Sequence, residues 1–273
     1  MKALNIAVLG ATGAVGQEML KILAEYDIPV NELRPLASAR SVGKCIQFKG
    51  QEIPLQEAKD DAFEGLDFVL GAVEGDMSQR FAPAIKKSGA VYIDNSSAFR
   101  LDPDVPLVVP EINGADAFEN KGIIANPNCC TIITLMAVAG IAKLSPIEKM
   151  VVCTYQAVSG AGQAGIAELN SQMKAIAAGE KPEVKTFATQ IAMNVIPFID
   201  APYGNAYTKE EMKMQNEGRR IMHAPELKVN CTCVRVPVMR SHSMAVTLRT
   251  AEKISVEQAK AAVAAYPGVR LIE

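Results

Sequence analysis

Cys129 stands in the run Ala125-Asn126-Pro127-Asn128-Cys129-Cys130-Thr131, between two apolar stretches. Residues 122–125 read as a short buried strand and residues 131–139 as a buried helix, joined by a tight Asn-Pro-Asn turn. That spacing puts Cys129 at or near a helix N-terminus, where unpaired backbone N–H groups and the positive end of the helix dipole stabilise an anion. A thiol so placed ionises readily, and the thiolate is the nucleophile. The same N–H groups can hold an oxyanion formed when the sulfur attacks a carbonyl. A structural thiol in an apolar helix cap is the plain alternative. Only two histidines exist, His223 and His242, so any imidazole base is one of them. His242 follows Val234-Arg235-Val236-Pro237-Val238, where a strand and a turn can bring Arg235 and His242 into one cleft, whereas His223 lies at a helix end and suits dipole compensation. Glu210 and Lys213 are three residues apart on one helical face, for which a surface ion pair is the plain reading.

The elements that must position these residues begin with residues 4–9 (LNIAVL), a continuous apolar strand of the kind buried in a parallel sheet. Gly10-Ala11-Thr12-Gly13-Ala14-Val15-Gly16 follows, then a helical period over residues 17–26. Strand, glycine-rich turn and helix in succession let a backbone approach a pyrophosphate at the helix N-terminus; a tight turn with close helix packing and no ligand is the alternative. Residues 33–37 read as a second strand. The residues after it, Ser38-Ala39-Arg40-Ser41, contain no acid to take a ribose 2′-hydroxyl, and Arg40 between two hydroxyl residues suits a 2′-phosphate. That favours NADP over NAD, unless Arg40 is only a solvated loop charge. Residues 44–55 read as one or two short strands, 65–72 as a strand, 78–87 as a helix and 90–94 as a strand, with Asn95-Ser96-Ser97-Ala98-Phe99-Arg100 as the loop beyond it. Such alternation makes a Rossmann-like, doubly wound α/β domain whose ligands sit at the carboxyl ends of its strands. Arg100, in one of these loops, becomes a candidate anion binder.

After residue 142 the pattern changes. Residues 149–158 read as a long strand ending in Ser159-Gly160-Ala161-Gly162, followed by a helix over 163–178. Thr208 is a good N-cap for a charged helix over 209–222, and residues 229–238 and 244–249 read as strands. These elements make an α+β second domain, a mixed sheet covered on one side by helices. The domains expected are 1–127 and 128–273, with no internal repeat, low-complexity tract or long linker.

With 273 residues, 49% of them hydrophobic and 21% charged, the chain can bury the cores of two domains. A net charge of −2 argues against nucleic acid or a membrane surface as the main partner. The N-terminus carries no secretory pattern and the apolar runs are too short to span a bilayer, which points to the cytoplasm. Six cysteines without paired Cys-x-x-Cys spacing read as reduced thiols, with no metal site among them.

Taken in order, the motifs at 10–16, 95–100, Asn126-Pro127-Asn128-Cys129, Thr154-Tyr155-Gln156-Ala157-Val158-Ser159-Gly160-Ala161-Gly162, Glu210-Glu211-Met212-Lys213 and Arg235-Val236-Pro237 with His242 resemble those of the aspartate-β-semialdehyde dehydrogenases from end to end. The resemblance implies NADPH-dependent reductive dephosphorylation of aspartyl β-phosphate to aspartate semialdehyde, on the route to lysine, threonine and methionine. It implies Cys129 as nucleophile through a thioacyl enzyme, His242 as general acid/base and Gln156 as the residue orienting the intermediate. Arg235 would pair with the substrate carboxylate and Glu210 with its amino group. Arg100, Lys213 and Asn128, with Ser97, would bind phosphate. Gly10, Thr12, Gly13, Ala14, Val15 and Gly16, then Ser38, Arg40 and Ser41, then Ser159 and Gly160, would contact NADP in a cleft between the domains. A homodimer, or a dimer of dimers, through the second-domain sheet is also implied.

Three features depart from the family pattern. Cys130 stands where the family more often has a small hydroxyl residue, Val73-Glu74-Gly75-Asp76 is more acidic than the family's usual Gly/Ser-rich cofactor loop, and the chain stops at Glu273 where the family's second domain continues, so that domain reads as incomplete. N-acetyl-γ-glutamyl-phosphate reductase is the nearest rival enzyme. The Asn-Pro-Asn-Cys turn and the Glu210/Lys213 pair favour the aspartyl enzyme, because a free amino group needs an acid and an acetylated one does not. A non-catalytic NADP-binding fragment is the alternative from a different class.

Overall fold

The computed structural model describes residues 2–272. Met1 and Glu273, the latter the point where the second domain is expected to break off, lie outside the described residues. The chain divides into two compact units. The first runs to Val108 and resumes over Ala115–Pro127; the second takes Val109–Gly114 and the chain from Asn128 onward.

In the first unit, β1 (Leu4–Leu9), β2 (Val30–Ala37), β5 (Gln56–Glu57), β6 (Phe68–Gly71), β7 (Val91–Asp94) and β8 (Ile123–Ala125) form one sheet, in the order β5-β2-β1-β6-β7-β8. Every neighbouring pair in it is parallel. β1 is central and apolar apart from Asn5, and Ile6, Ala7, Val8 and Leu9 are all buried, as a strand covered on both faces requires. α1 (Ala14–Glu25) lays Leu20 and Leu23 onto Ile6, Val8 and Leu33, and the antiparallel hairpin β3 (Cys45–Phe48) and β4 (Gln51–Pro54) adds Ile46 and Phe48 to the same core.

Several boundaries differ from the sequence expectation: β6 starts at Phe68 rather than 65, α2 (Gly75–Ser88) at Gly75 rather than 78, and the starts of α1 and β2 also move. α1 begins at Ala14 rather than 17, because Gly13 is already its N-cap and the end of the glycine run is its first turn. β2 begins at Val30 rather than 33, since its ladder with β1 runs on through the polar residues Asn31 and Glu32. The acidity of the 73–76 stretch has a local cause. Glu74 occupies the N-cap position of α2, without a side-chain capping bond, and Asp76 lies in its first turn, where negative charge meets the positive end of the helix.

The second unit opens with α3 (Pro110–Asn113) and α4 (Cys129–Ala142). Its sheet, in the order β10-β9-β11, is mixed: β9 (Ile147–Gln156) runs parallel to β10 (Lys228–Arg235) and antiparallel to β11 (Ser243–Thr250). Along β9, Met150, Val152, Thr154 and Gln156 are buried while Val151 and Tyr155 are exposed, so one face is packed and the other open. α5 (Gly162–Ala177) packs Leu169 against Val158, Ile191 and Ile196, and α6 (Lys209–Ile221) and α7 (Val256–Ala265) complete the unit. Thr208 caps α6 in a full capping box with Glu211.

β9 starts and ends two residues earlier than expected, because the chain turns into a 3₁₀ segment over Val158–Ala161. β10 stops at Arg235, well before 238. Pro237 has no N–H to continue the ladder, and the N–H of Val238 instead closes a turn onto the Val236 carbonyl. Among the described residues no helix is long and apolar enough to cross a membrane, and all six cysteines are free thiols.

Candidate active site

Cys129 is the first residue of α4, and Asn128 is its N-cap. Asn128 Oδ1 accepts from the N–H groups of Cys130 (2.9 Å) and Thr131 (3.4 Å). Two of the donors expected to be free for an oxyanion are therefore taken up by the cap. An oxyanion at this helix end cannot draw on those two N–H groups while the Asn128 side chain holds them. The remaining polar groups of Asn128 are also held. Its N–H donates to Glu217 Oε2 (2.7 Å) and its Nδ2 to Glu210 Oε1 (3.1 Å). The turn carrying the cysteine is thus clamped to two carboxylates on α6, seven residues and about two helical turns apart.

Cys129 is exposed and Cys130 is buried, 2% accessible. The two thiols and an imidazole nitrogen of His242 all lie within 4.8 Å of one another. The Cys130 thiol first, and His242 after it, outweigh burial and bring Cys129 down to about 5 from the ordinary thiol value of 9.0. Cys130 moves the opposite way, pushed up by the neighbouring Cys129 and by its burial. Cys129 is therefore the thiol that ionises.

Strand register brings together residues that the sequence spreads over almost ninety positions. At the end of β9, Gln156 is paired with Arg235 of β10 on one side, while Tyr155 is paired with Ser243 of β11 on the other, with His242 one residue before it. Arg235 Nη1 donates to the Ala157 carbonyl (2.7 Å), and its guanidinium lies over the Phe187 ring. The Ala157 N–H donates to His242 Nδ1 (3.0 Å), so the neutral ring carries its proton on Nε2. Gly160 sits against this pair, since a Cβ there would lie 2.7 Å from Arg235 Nη1 and 3.6 Å from His242 Cε1. The adjacent Ser159 N–H is bonded to the Met239 carbonyl. His223 is not in this group: it follows α6 with a φ of +49° and lines a separate apolar cavity with Leu135, Met150 and Leu227.

Glu210 and Lys213 are not a surface pair. Glu210 is only 8% accessible, and one of its oxygens accepts from both Asn128 Nδ2 and Gln156 Nε2 (3.0 Å), while the other accepts from Lys213 Nζ (2.8 Å). α6 lies against β10, and that packing buries the face the pair occupies. Burial alone would raise the Glu210 carboxyl. Lys213 and the two amides outweigh it and hold the group ionised, below its ordinary value. Lys213 also reaches Asp200 (3.0 Å). Burial lowers the ammonium, the two carboxylates more than restore it, and its value is raised. Gln156 is 1% accessible, and its oxygen accepts from Thr154 Oγ1 (2.9 Å).

The expected cofactor contacts lie at strand ends of the first unit. Gly10 has a φ of +89°, and a Cβ on Gly10 or Gly16 would collide with the carbonyl oxygens of Ala72 and Gly10 respectively. α1 therefore starts hard against the loop. Its N-cap Gly13 offers no side-chain acceptor and its first turn holds no acid, leaving the N–H groups there for a phosphate. Thr12 and Val15 are exposed beside them, and Ala14 is half-buried. Ser38, Arg40 and Ser41 form a short 3₁₀ turn just past β2. Beyond β7, the Arg100 guanidinium donates to the backbone carbonyls of Asn95 (2.8 Å) and Asn126 (2.9 Å), and Ser97 is exposed.

Sequence reasoning missed Glu217, Asp200 and Thr154. For Glu217, the signal was its spacing of seven from Glu210, which repeats one helical face; an isolated glutamate in a charged helix gave no reason to bury it. Asp200 and Thr154 had no such signal.

The family model for the semialdehyde dehydrogenase NAD binding domain matches residues 5–120, and that for the semialdehyde dehydrogenase dimerisation domain matches residues 138–273. The aspartate-semialdehyde dehydrogenases of Synechocystis sp. and Bacillus subtilis are each 47% identical to this chain over 99% of it, which spans 80% of their own length. The crystal structure of aspartate semialdehyde dehydrogenase II from Vibrio cholerae matches with a TM-score of 0.95 at 45% identity, over 98% of this chain and 80% of that one.

Proposed function

The chain belongs to the semialdehyde dehydrogenase family, among the aspartate-semialdehyde dehydrogenases, and from that we infer the reaction its residues serve. It is the NADPH-dependent reductive dephosphorylation of L-aspartyl 4-phosphate to L-aspartate 4-semialdehyde, a step of amino-acid biosynthesis. Residues 1–127 carry the cofactor and 128–273 the chemistry and the dimer contact. The observation that carries the reading is the buried Glu210 carboxylate, held ionised beside Asn128 and Gln156 in the unit that also presents Cys129, Arg235 and His242.

The roles follow from the geometry. The Cys129 thiolate attacks the acyl carbon, and the C–O bond to phosphate breaks to leave a thioester. His242 in its neutral form donates an Nε2–H hydrogen bond to the carbonyl-derived oxygen; its protonated form gives that oxygen a proton, and the neutral ring takes the proton back as the aldehyde leaves. Gln156, fixed by Thr154 and Glu210, orients the intermediate. Arg235 binds the substrate α-carboxylate with the free edge of its guanidinium and Glu210 takes the α-amino group. Lys213 and Asn128, and in the first unit Arg100 with Ser97, serve anion binding. The glycine loop, with its open helix N-terminus and excluded Cβ positions, fits a dinucleotide pyrophosphate, and Ser38, Arg40 and Ser41 fit a 2′-phosphate. NADPH supplies the hydride when bound.

The dimerisation-domain match supports a homodimer. The open face of the β10-β9-β11 sheet, with Val151 and Tyr155, is the surface for it, and a dimer of dimers is a further step of the same kind. The enzyme acts in the cytoplasm.

The test is NADPH formation from aspartate semialdehyde, phosphate and NADP, alongside N-acetylglutamate semialdehyde. Phosphate-dependent turnover in the first arm that disappears in Cys129→Ala is expected. Turnover only with the acetylated substrate would overturn the assignment.

A further inference from the structure

Beyond helping Cys129 to ionise, Cys130 carries no step of the reaction just described, yet its sulfur, the Cys129 sulfur and a His242 nitrogen lie within 4.8 Å of one another, the one group of three such donors among the described residues. We propose that these three side chains form a binding site for a thiophilic divalent ion, Zn²⁺ above all, which reversibly shuts off the enzyme by tying up its nucleophile.

The donor set decides the class of ion. Two thiolates and an imidazole are soft to borderline ligands that favour Zn²⁺ over Mg²⁺ or Ca²⁺. Three protein ligands with a fourth position left to water is the pattern of an open zinc site, and Cys129 faces solvent, so an ion has a way in. Tetrahedral bonds of about 2.3 Å to sulfur and about 2.0 Å to nitrogen set donor–donor spacings near ~3.6 Å, so the three groups need close by no more than about 1 Å. Rotation of the thiol side chains supplies that without moving the helix. Cys130 is what completes the donor set, because a hydroxyl residue at 130 would leave only the Cys129–His242 pair.

The protons balance as follows. Both sulfurs bind as thiolates, and any thiol proton still held by Cys129 or Cys130 passes to water as the sulfur joins the metal. Coordination through Nε2 moves the ring proton to Nδ1, so the bond from the Ala157 N–H is given up. That loss keeps the site weaker than a structural zinc site, whose histidines donate their second nitrogen to a partner. The result is an ion that comes and goes with its free concentration and can be stripped by a chelator.

The experiment uses the full chain with Zn²⁺ at buffered free concentrations, and Co²⁺ as the spectroscopic probe. Equilibrium dialysis should find one Zn²⁺ per chain, and Co²⁺ should give the near-ultraviolet charge-transfer band of thiolate ligation with the visible bands of a tetrahedral ion. Cys130→Ser and Cys130→Ala should each weaken Zn²⁺ by more than about a hundredfold, beyond what loss of an outer-shell partner costs. Cys45→Ser, which removes the other exposed thiol, should change nothing. Loss of aspartate-semialdehyde oxidation should follow Zn²⁺ occupancy and reverse with EDTA. A Co²⁺ spectrum without thiolate bands, or Zn²⁺ binding unchanged in both Cys130 variants, would overturn the proposal. Binding is read without turnover, so a wrong substrate leaves this test intact.

Discussion

Cys129 and Cys130 are neighbours in sequence with opposite fates. Cys129 is exposed at the first position of α4, beside His242, and comes down to about 5; Cys130 is turned inward and its ionisation is suppressed. A thiol is neutral below its pKa and charged above it, so Cys129 is almost wholly thiolate at neutral pH. The rate of its alkylation by iodoacetamide should be flat from pH 6.5 to 8.5 and fall only as the pH drops towards about 5. An ordinary thiol would instead gain about tenfold per pH unit over much of that range. A rate still climbing between pH 7 and 8.5 would remove the activated thiolate from the mechanism. Cys129→Ala should lower turnover by about 10⁴-fold or more, the scale of losing a covalent nucleophile, with NADPH binding retained.

At the scale of the element, α6 matters more than its charged sequence suggests. Glu210 and Glu217 point the same way from it and hold the side chain and the backbone N–H of Asn128, the cap of the helix that carries the nucleophile. Glu217 is 2% accessible. Glu217→Ala leaves a buried N–H without this acceptor, so urea unfolding should report a loss of about 1–3 kcal/mol. Turnover should fall with it while the KM for phosphate stays put, and Glu217→Gln, whose carbonyl can still accept, should recover much of both. Equal damage in the Gln variant would mean the charge, not the bond, is what matters. In the first unit, Gly16→Ala drives a methyl into the Gly10 carbonyl and must displace α1 from the loop. A fluorescence titration should show NADPH affinity down roughly tenfold, ~1.4 kcal/mol, without loss of secondary structure.

On the scale of the whole molecule, the chain builds two units around different sheets, one parallel and one mixed; it lends Val109–Gly114 to the second unit and passes into it for good at Asn128. Helices cover the packed face of the second sheet and leave Val151 and Tyr155 open, each about half exposed. Apolar side chains on an open sheet face mark an interaction surface. Tyr155→Glu combined with Val151→Asp should convert the dimer to a monomer in sedimentation velocity. A variant that still sediments as a dimer would place the contact elsewhere.

Sequence alone determined what depends on local order. An apolar run followed by Gly10-x-x-Gly13-x-x-Gly16 must turn into a helix, an Asn before an apolar stretch must cap it, and Thr208 with Glu211 must box the start of α6, because each is settled within a few residues. Cys129 at a helix start and the absence of an acid after β2 were legible for that reason. What needed the tertiary structure was everything set by register and packing. That Arg235 and His242 flank the end of β9 follows from strand pairing, which a single strand's pattern does not encode. The Glu210–Lys213 pair reads as solvated until α6 lies on β10 and buries it, and Glu217 accepts a hydrogen bond from a turn 89 positions away.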